Sequence, residues 1–132
     1  MEDSLVLETT FLVDLEREAA REKPGRAVAF LEKHLDDKLH ITFTIAGEIA
    51  CGTSLSERKA WERFIGPFKV LGFSLDVAWE YGRAFRFLEE NGLLIGANDL
   101  WIAATAIAYE IPVVTRNAKH YRRVPGLSVL EY

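Results

Sequence analysis

Residues 95–117, I-G-A-N-D-L-W-I-A-A-T-A-I-A-Y-E-I-P-V-V-T-R-N, decide how this chain folds. Their first part predicts an alanine-rich helix that is small and apolar nearly all round, with Ile102, Ala103, Ala104, Ala106, Ile107 and Ala108, and such a helix is buried. Asn98 is a good N-cap residue, and Asp99 falls in the first turn, where the helix dipole favours negative charge. Ile111 to Thr115 reads as a strand. A buried helix feeding a short apolar strand is the unit of a parallel sheet, and it aims Asp99 at one end of that sheet. Most first-turn acids only stabilise their helix. A carboxylate at the mouth of a buried helix also needs a partner, and a metal ion is one.

The same alternation extends outward. Ser4 to Leu7 predicts a strand that ends at Glu8, and Phe11, Leu12 and Leu15 follow at helical spacing. Pro24-Gly25 marks a turn before a second amphipathic stretch with Val28, Leu31 and Leu35, so the two stretches form a helical hairpin. Leu39 to Phe43 is β-rich, and Thr44 can cap a helix that carries Ile45, Glu48 and Ile49 among small residues. Ser56 to Phe64 reads as a helix broken by Gly66-Pro67, and Lys69 to Phe73 as a third strand. Ser74 caps a long helix that stops at Asn91-Gly92, and Val129-Leu130 adds a last short strand. The expected fold is α/β, a three-layer α/β/α sandwich around a central, mainly parallel sheet of four to five strands, in one domain over residues 1–132.

Length and composition agree: 132 residues with 49% hydrophobic, 27% charged and 11% aromatic content suit one folded domain. A single cysteine, Cys51, excludes an internal disulfide and suits a reducing compartment. No apolar run approaches twenty residues and no basic, apolar leader opens the chain, so a cytoplasmic protein without a membrane span is expected. The net charge of −4 argues against coating nucleic acid by bulk electrostatics. The cations are local, however: Arg116, Lys119, Arg122 and Arg123 face only Glu131 within residues 111–132. Such a cluster beside acids could steady a polyanion, or simply be a solvated helix end. Glu8, Thr115 and Asn117 fall where ligands of open α/β sheets bind, outside the carboxyl ends of the strands. Glu8, Glu48 and Asp99, distant in sequence, could thus meet in space, and carboxylates from separate elements are what Mg²⁺ and Mn²⁺ sites use.

L-V-L-E-T-T-F-L-V-D-L (5–15), I-A-G-E-I (45–49), N-D-L-W-I-A-A-T-A (98–106) and V-V-T-R-N-A-K-H-Y-R-R-V-P-G-L (113–127) together resemble a PIN-domain ribonuclease of the VapC type, the toxin of prokaryotic toxin–antitoxin pairs. The resemblance implies hydrolysis of RNA phosphodiesters by water activated on Mg²⁺ or Mn²⁺. It assigns catalytic positions to Glu8, Glu48, Asp99 and Asn117, with Glu8, Asp99 and Glu48 on the metal and Thr115 behind them. Arg116, Lys119 and Arg122 become candidate RNA contacts. A VapB-type antitoxin and a homodimer are the implied protein partners, with Trp61, Phe64, Trp79 and Phe85 as contact candidates. Two positions depart from the family pattern. Glu8 stands where Asp is usual and adds a methylene that Mg²⁺ geometry tolerates poorly. His120-Tyr121 stands where Asp-Phe is usual. A rival reading keeps the fold as an RNA- or antitoxin-binding module with catalysis impaired by Glu8. A receiver-like phosphoacceptor would need an acid pair near the first strand end and a late lysine, and neither is present at the required places.

Overall fold

Leu5, Val6 and Leu7 are buried without a break, which only a strand covered on both faces permits. This strand, β1 (Ser4–Leu7), is the middle of a five-stranded sheet in a computed structural model that describes residues 3–132. The others are β2 (Lys38–Thr42), β3 (Lys69–Leu71), β4 (Val113–Val114) and β5 (Val129–Leu130). All pair in parallel in the order β3-β2-β1-β4-β5, with Val6 opposite His40 on one side and Val113 on the other. The expected α/β architecture with a parallel sheet is therefore the one observed.

Seven α-helices connect the strands among the described residues: α1 (Thr9–Ala20), α2 (Arg26–Lys33), α3 (Phe43–Ala50), α4 (Arg58–Ile65), α5 (Leu75–Glu90), α6 (Ala97–Ala108) and the short α7 (Ala118–Tyr121). The predicted hairpin is α1 and α2. Pro24-Gly25 leaves α2 without a side-chain cap of its own, and Glu18 of α1 supplies one, accepting from the Gly25, Ala27 and Val28 amides at 2.6, 3.0 and 3.0 Å. Thr42 caps α3 in place of the expected Thr44, because the strand stops one residue before Phe43 and the Thr42 hydroxyl accepts from the Ile45 amide at 3.1 Å. Ser74 caps α5 as expected.

The alanine-rich α6 is buried at Leu100, Ile102, Ala103, Ala104, Thr105 and Ala106. Its N-cap is Gly96, two residues before the expected Asn98, so Asp99 is the third helical residue. At its other end Glu110 adopts φ 57°, the Ile111 amide donates to Ala106 O at 2.9 Å and the Glu110 amide to Ile107 O at 3.0 Å. This Schellman closure turns the chain into β4 and explains why a strand expected from residue 111 pairs only from Val113. Of the aromatic contact candidates, Trp61, Phe64 and Phe85 pack partly buried against the core, whereas Trp79 is 64% exposed beneath the Arg86 guanidinium. Phe43, Phe73 and Leu75 add exposed apolar surface. No helix among the described residues is long and apolar enough to cross a membrane.

One buried side chain works against this fold. His40 is 6% exposed, neither ring nitrogen has a hydrogen-bond partner among the described residues, and burial holds its pKa below the ordinary 6.5, with Lys69 and Lys38 adding to the shift. The unfolded chain therefore binds the proton more readily than the folded one. Stability is full above pH 6.5 and is lost as the pH falls from there toward the lower folded value. His40→Leu removes the unpartnered imidazole, so chemical denaturation at pH 6 is expected to show a gain of about 1–2 kcal/mol. A loss in that measurement would show that the ring packs better than its missing bonds suggest.

Candidate active site

The sheet order reverses direction at β1, whose neighbours β2 and β4 lead to opposite edges, so the carboxyl ends of β1 and β4 mark the switch-point crevice at which open α/β sheets bind ligands. Glu8 and Thr115 are the residues that follow those two strands. Glu8 is also the N-cap of α1, and its Oε2 accepts from the Thr10 amide at 2.8 Å. Its Oε1 accepts from the hydroxyls of Thr10 at 3.0 Å and Thr115 at 2.5 Å. Those hydroxyls accept in turn: the Arg116 amide donates to Thr10 Oγ1 at 3.1 Å and the Asn117 amide to Thr115 Oγ1 at 2.9 Å. The extra methylene of Glu8 thus reaches across the crevice and stitches β1 to β4.

Glu48 enters from the second turn of α3, partly buried, and its Oε1 accepts from the Thr9 hydroxyl at 2.7 Å. Asp99 enters from the first turn of α6; Tyr121 donates to its Oδ1 at 3.1 Å and His120 Nδ1 lies 3.2 Å from its Oδ2. Asn117 Nδ2 is 3.0 Å from the same His120 nitrogen. That nitrogen cannot donate to Asp99 and accept from Asn117 together, so a His120 that donates to Asp99 requires the Asn117 amide turned oxygen-inward.

Tyr121, seen in the sequence only as a departure from the family pattern, carries no expected role there. It is 1% exposed, and its phenol pKa is driven well up, by burial first and then by the charges of Glu8, Asp99 and Glu48. Of the three expected carboxylates, Asp99 is the one hydrogen-bonded to this hydroxyl. Its only sequence signal was the substitution of Tyr for the usual Phe, which adds a donor to an otherwise apolar position. Burial likewise raises the pKa of Glu8; hydrogen bonds from Thr115 and Thr10 oppose the shift and the charge of Asp99 adds to it.

Three carboxylates with hydroxyl and amide neighbours form an oxygen-rich donor set, which by type fits a hard divalent cation, and a cation would relieve the mutual repulsion of Glu8 and Asp99. Among the described residues, no three His, Cys, Asp or Glu side chains converge closely enough to enclose an ion. Each carboxylate instead accepts from a hydroxyl, and Glu8 has both oxygens engaged, Oε1 by the Thr10 and Thr115 hydroxyls and Oε2 by the Thr10 amide. Of the expected RNA contacts, Arg116 pairs with Asp14 at 2.9 Å and Arg122 with Glu131 at 2.8 Å, and Lys119 is exposed.

Comparison with known proteins shows the family. The family model described as PIN domain matches residues 5–127. Ribonuclease VapC2 of Rickettsia felis is 33% identical over 97 residues, covering 70% of this chain and 72% of that protein. Ribonuclease VapC of Rickettsia bellii is 41% identical over 63 residues, about half of each chain at 48% and 47%. Among solved structures, VapBC2 from Rickettsia felis bound to a DNA fragment from their promoter superposes with a TM-score of 0.79 at 25% identity, covering 98% of both chains. FitAcB from Neisseria gonorrhoeae gives 0.76 at 25% identity over 96% of both. With the family model spanning nearly the whole sequence, the chain belongs to the PIN domain family, among its VapC-type members.

Proposed function

We propose that this protein is a Mg²⁺- or Mn²⁺-dependent endoribonuclease, the toxin of a toxin–antitoxin pair, and that Glu8, Glu48 and Asp99 hold the ion. The observation that carries this reading is the PIN domain match over residues 5–127, which spans Glu8, Glu48 and Asp99. The likeness to proteins named VapC ribonucleases supports the substrate, and the likeness to the VapBC2 structure supports a VapB-type antitoxin as partner. Homodimerisation and a single domain over residues 1–132 belong to the same proposal.

A divalent ion bound here would supply Lewis acidity toward the scissile phosphate and an activated water. The chain's own residues do the rest. Thr9 holds Glu48 toward the crevice, Tyr121 and His120 hold Asp99, and the Thr115 hydroxyl positions Glu8 while accepting from the backbone of Asn117. These donors orient the three acids, and each also occupies a carboxylate oxygen that a bound cation would have to share.

A second reading, a PIN-fold binding module with impaired catalysis, rests on Glu8, both of whose oxygens are engaged by Thr10 and Thr115. Incubation of the purified chain with total RNA in Mg²⁺, in Mn²⁺ and in chelator separates the two. Cleavage with either metal and none in chelator is expected; intact RNA under all three conditions supports the binding module.

Tyr121→Phe frees Asp99 Oδ1 of a competing donor without emptying the core. With a hydrogen bond contributing about 1 kcal/mol, Mn²⁺ is expected to bind about fivefold more tightly by calorimetry. Weaker binding would mean that the hydroxyl orients Asp99 rather than competing for it.

A further inference from the structure

Four cations cluster after β4, and the structure divides them. Arg116 is held by Asp14, an acid that Tyr132 also fixes with a 2.6 Å hydrogen bond, and Arg122 is held by Glu131. Neither offers an anion much uncompensated charge. Arg123 has no acidic partner among the described residues; its Nη1 faces only the carbonyl oxygens of Leu93 and Leu94, at 3.5 and 3.4 Å. Lys119 is exposed and forms no ion pair among the described residues. These two line one cleft of about 390 Å³ together with Asn117 and His120. His120 is also the side chain that touches Asp99, so the cleft opens directly beside that carboxylate.

We propose that this cleft is a phosphate subsite for single-stranded RNA, in which Lys119 and Arg123 hold the phosphodiester next to the one being cut. The inference rests on the ribonuclease reading above and deepens it. A polyanion approaching three carboxylates is repelled, and two unpaired cations on the flank offset that repulsion where the strand must pass. Arg123, steadied by two neutral carbonyls, keeps its full charge and offers its remaining N–H groups to phosphate oxygens. The Asn117 side chain adds a neutral hydrogen-bonding group to the same wall.

The test is fluorescence anisotropy of a short labelled single-stranded RNA in chelator, where no cleavage interferes, repeated over a range of salt concentrations. Lys119→Ala and Arg123→Ala are each expected to weaken binding about tenfold, and to lower the slope of log affinity against log salt by about 0.7, one phosphate contact on a single strand. Arg123→Lys, which keeps the charge, is expected to retain most of the slope and guards against mere misfolding. Arg116→Ala and Arg122→Ala should leave the slope nearly unchanged. Equal losses in all four alanine variants would replace the subsite with diffuse attraction and overturn it. Parent-like binding by Lys119→Ala and Arg123→Ala, in a protein that still cleaves RNA, overturns the subsite alone. A parent chain that neither binds nor cleaves RNA overturns the ribonuclease reading with it.

Discussion

Asp99→Asn is expected to lower metal-dependent RNA cleavage by at least about a hundredfold, more than loss of a supporting neighbour costs a metal site. The substitution is nearly isosteric, and an asparagine carbonyl can still accept from Tyr121, so the packing of α6 against its neighbours is preserved. What disappears is one of three negative charges. Loss of a first-turn acid should cost the fold only about 0.3–1 kcal/mol through the helix dipole. It also removes the like charge that helps raise the Glu8 pKa, so Glu8 should ionise more readily in the variant. A thermal melt within a few degrees of the parent, beside a collapse in cleavage, is the expected pair of results. Parent-like cleavage would remove Asp99 from the site.

The second large effect is at Glu8, and its sign is opposite. Glu8→Asp is expected to raise cleavage about tenfold, corresponding to about 1.4 kcal/mol of barrier. Aspartate at an N-cap can still accept from the Thr10 amide, so α1 keeps its start. The shorter side chain gives up the reach to Thr115 across the crevice and frees a carboxylate oxygen. Loss of that contact should lower stability by about 1 kcal/mol. More activity bought with less stability is the signature of a side chain whose length serves the fold over the reaction. Equal cleavage by parent and Glu8→Asp, measured on one RNA under one metal concentration, would sink that interpretation.

Much of this arrangement could be read from residue patterns, for reasons that differ by element. The parallel sheet was legible because apolar runs such as Ser4–Leu7 alternate with helical spacing, and the strands ending at Glu8 and before Thr115 are the pair that flank the crevice. The boundaries were less legible. Thr42 and Thr44 are equally good caps by residue type, and only the end of pairing with Leu71 selects Thr42. Asn98 yields the cap to Gly96 because the Leu100 amide already donates to Gly96 O, which starts the helix two residues sooner.

Glu8 and Asp99 became candidates from where elements end and Glu48 from the family resemblance, but the hydrogen-bond partners of all three were not legible. Thr9, Thr10 and Tyr121 look in sequence like a helix start and a core aromatic; their hydroxyl directions arise only from tertiary placement. The same is true of the cations. Arg116 and Arg122 became RNA candidates through the family resemblance and the local cluster of cations, whereas the ion pair of Arg116 was not legible, because Asp14 lies 102 residues away in sequence and nothing local announces it.

The central claim is that Glu8, Glu48 and Asp99 take up one hard divalent ion in concert. Its most direct test is a Mn²⁺ titration of the purified chain followed by electron paramagnetic resonance, which counts free ion, on the parent, Asp99→Asn and Glu48→Gln. The account predicts saturable binding by the parent, weakened at least about tenfold in each variant, with Mg²⁺ displacing the bound Mn²⁺. Saturable binding of equal strength in all three proteins would place the ion elsewhere and contradict it.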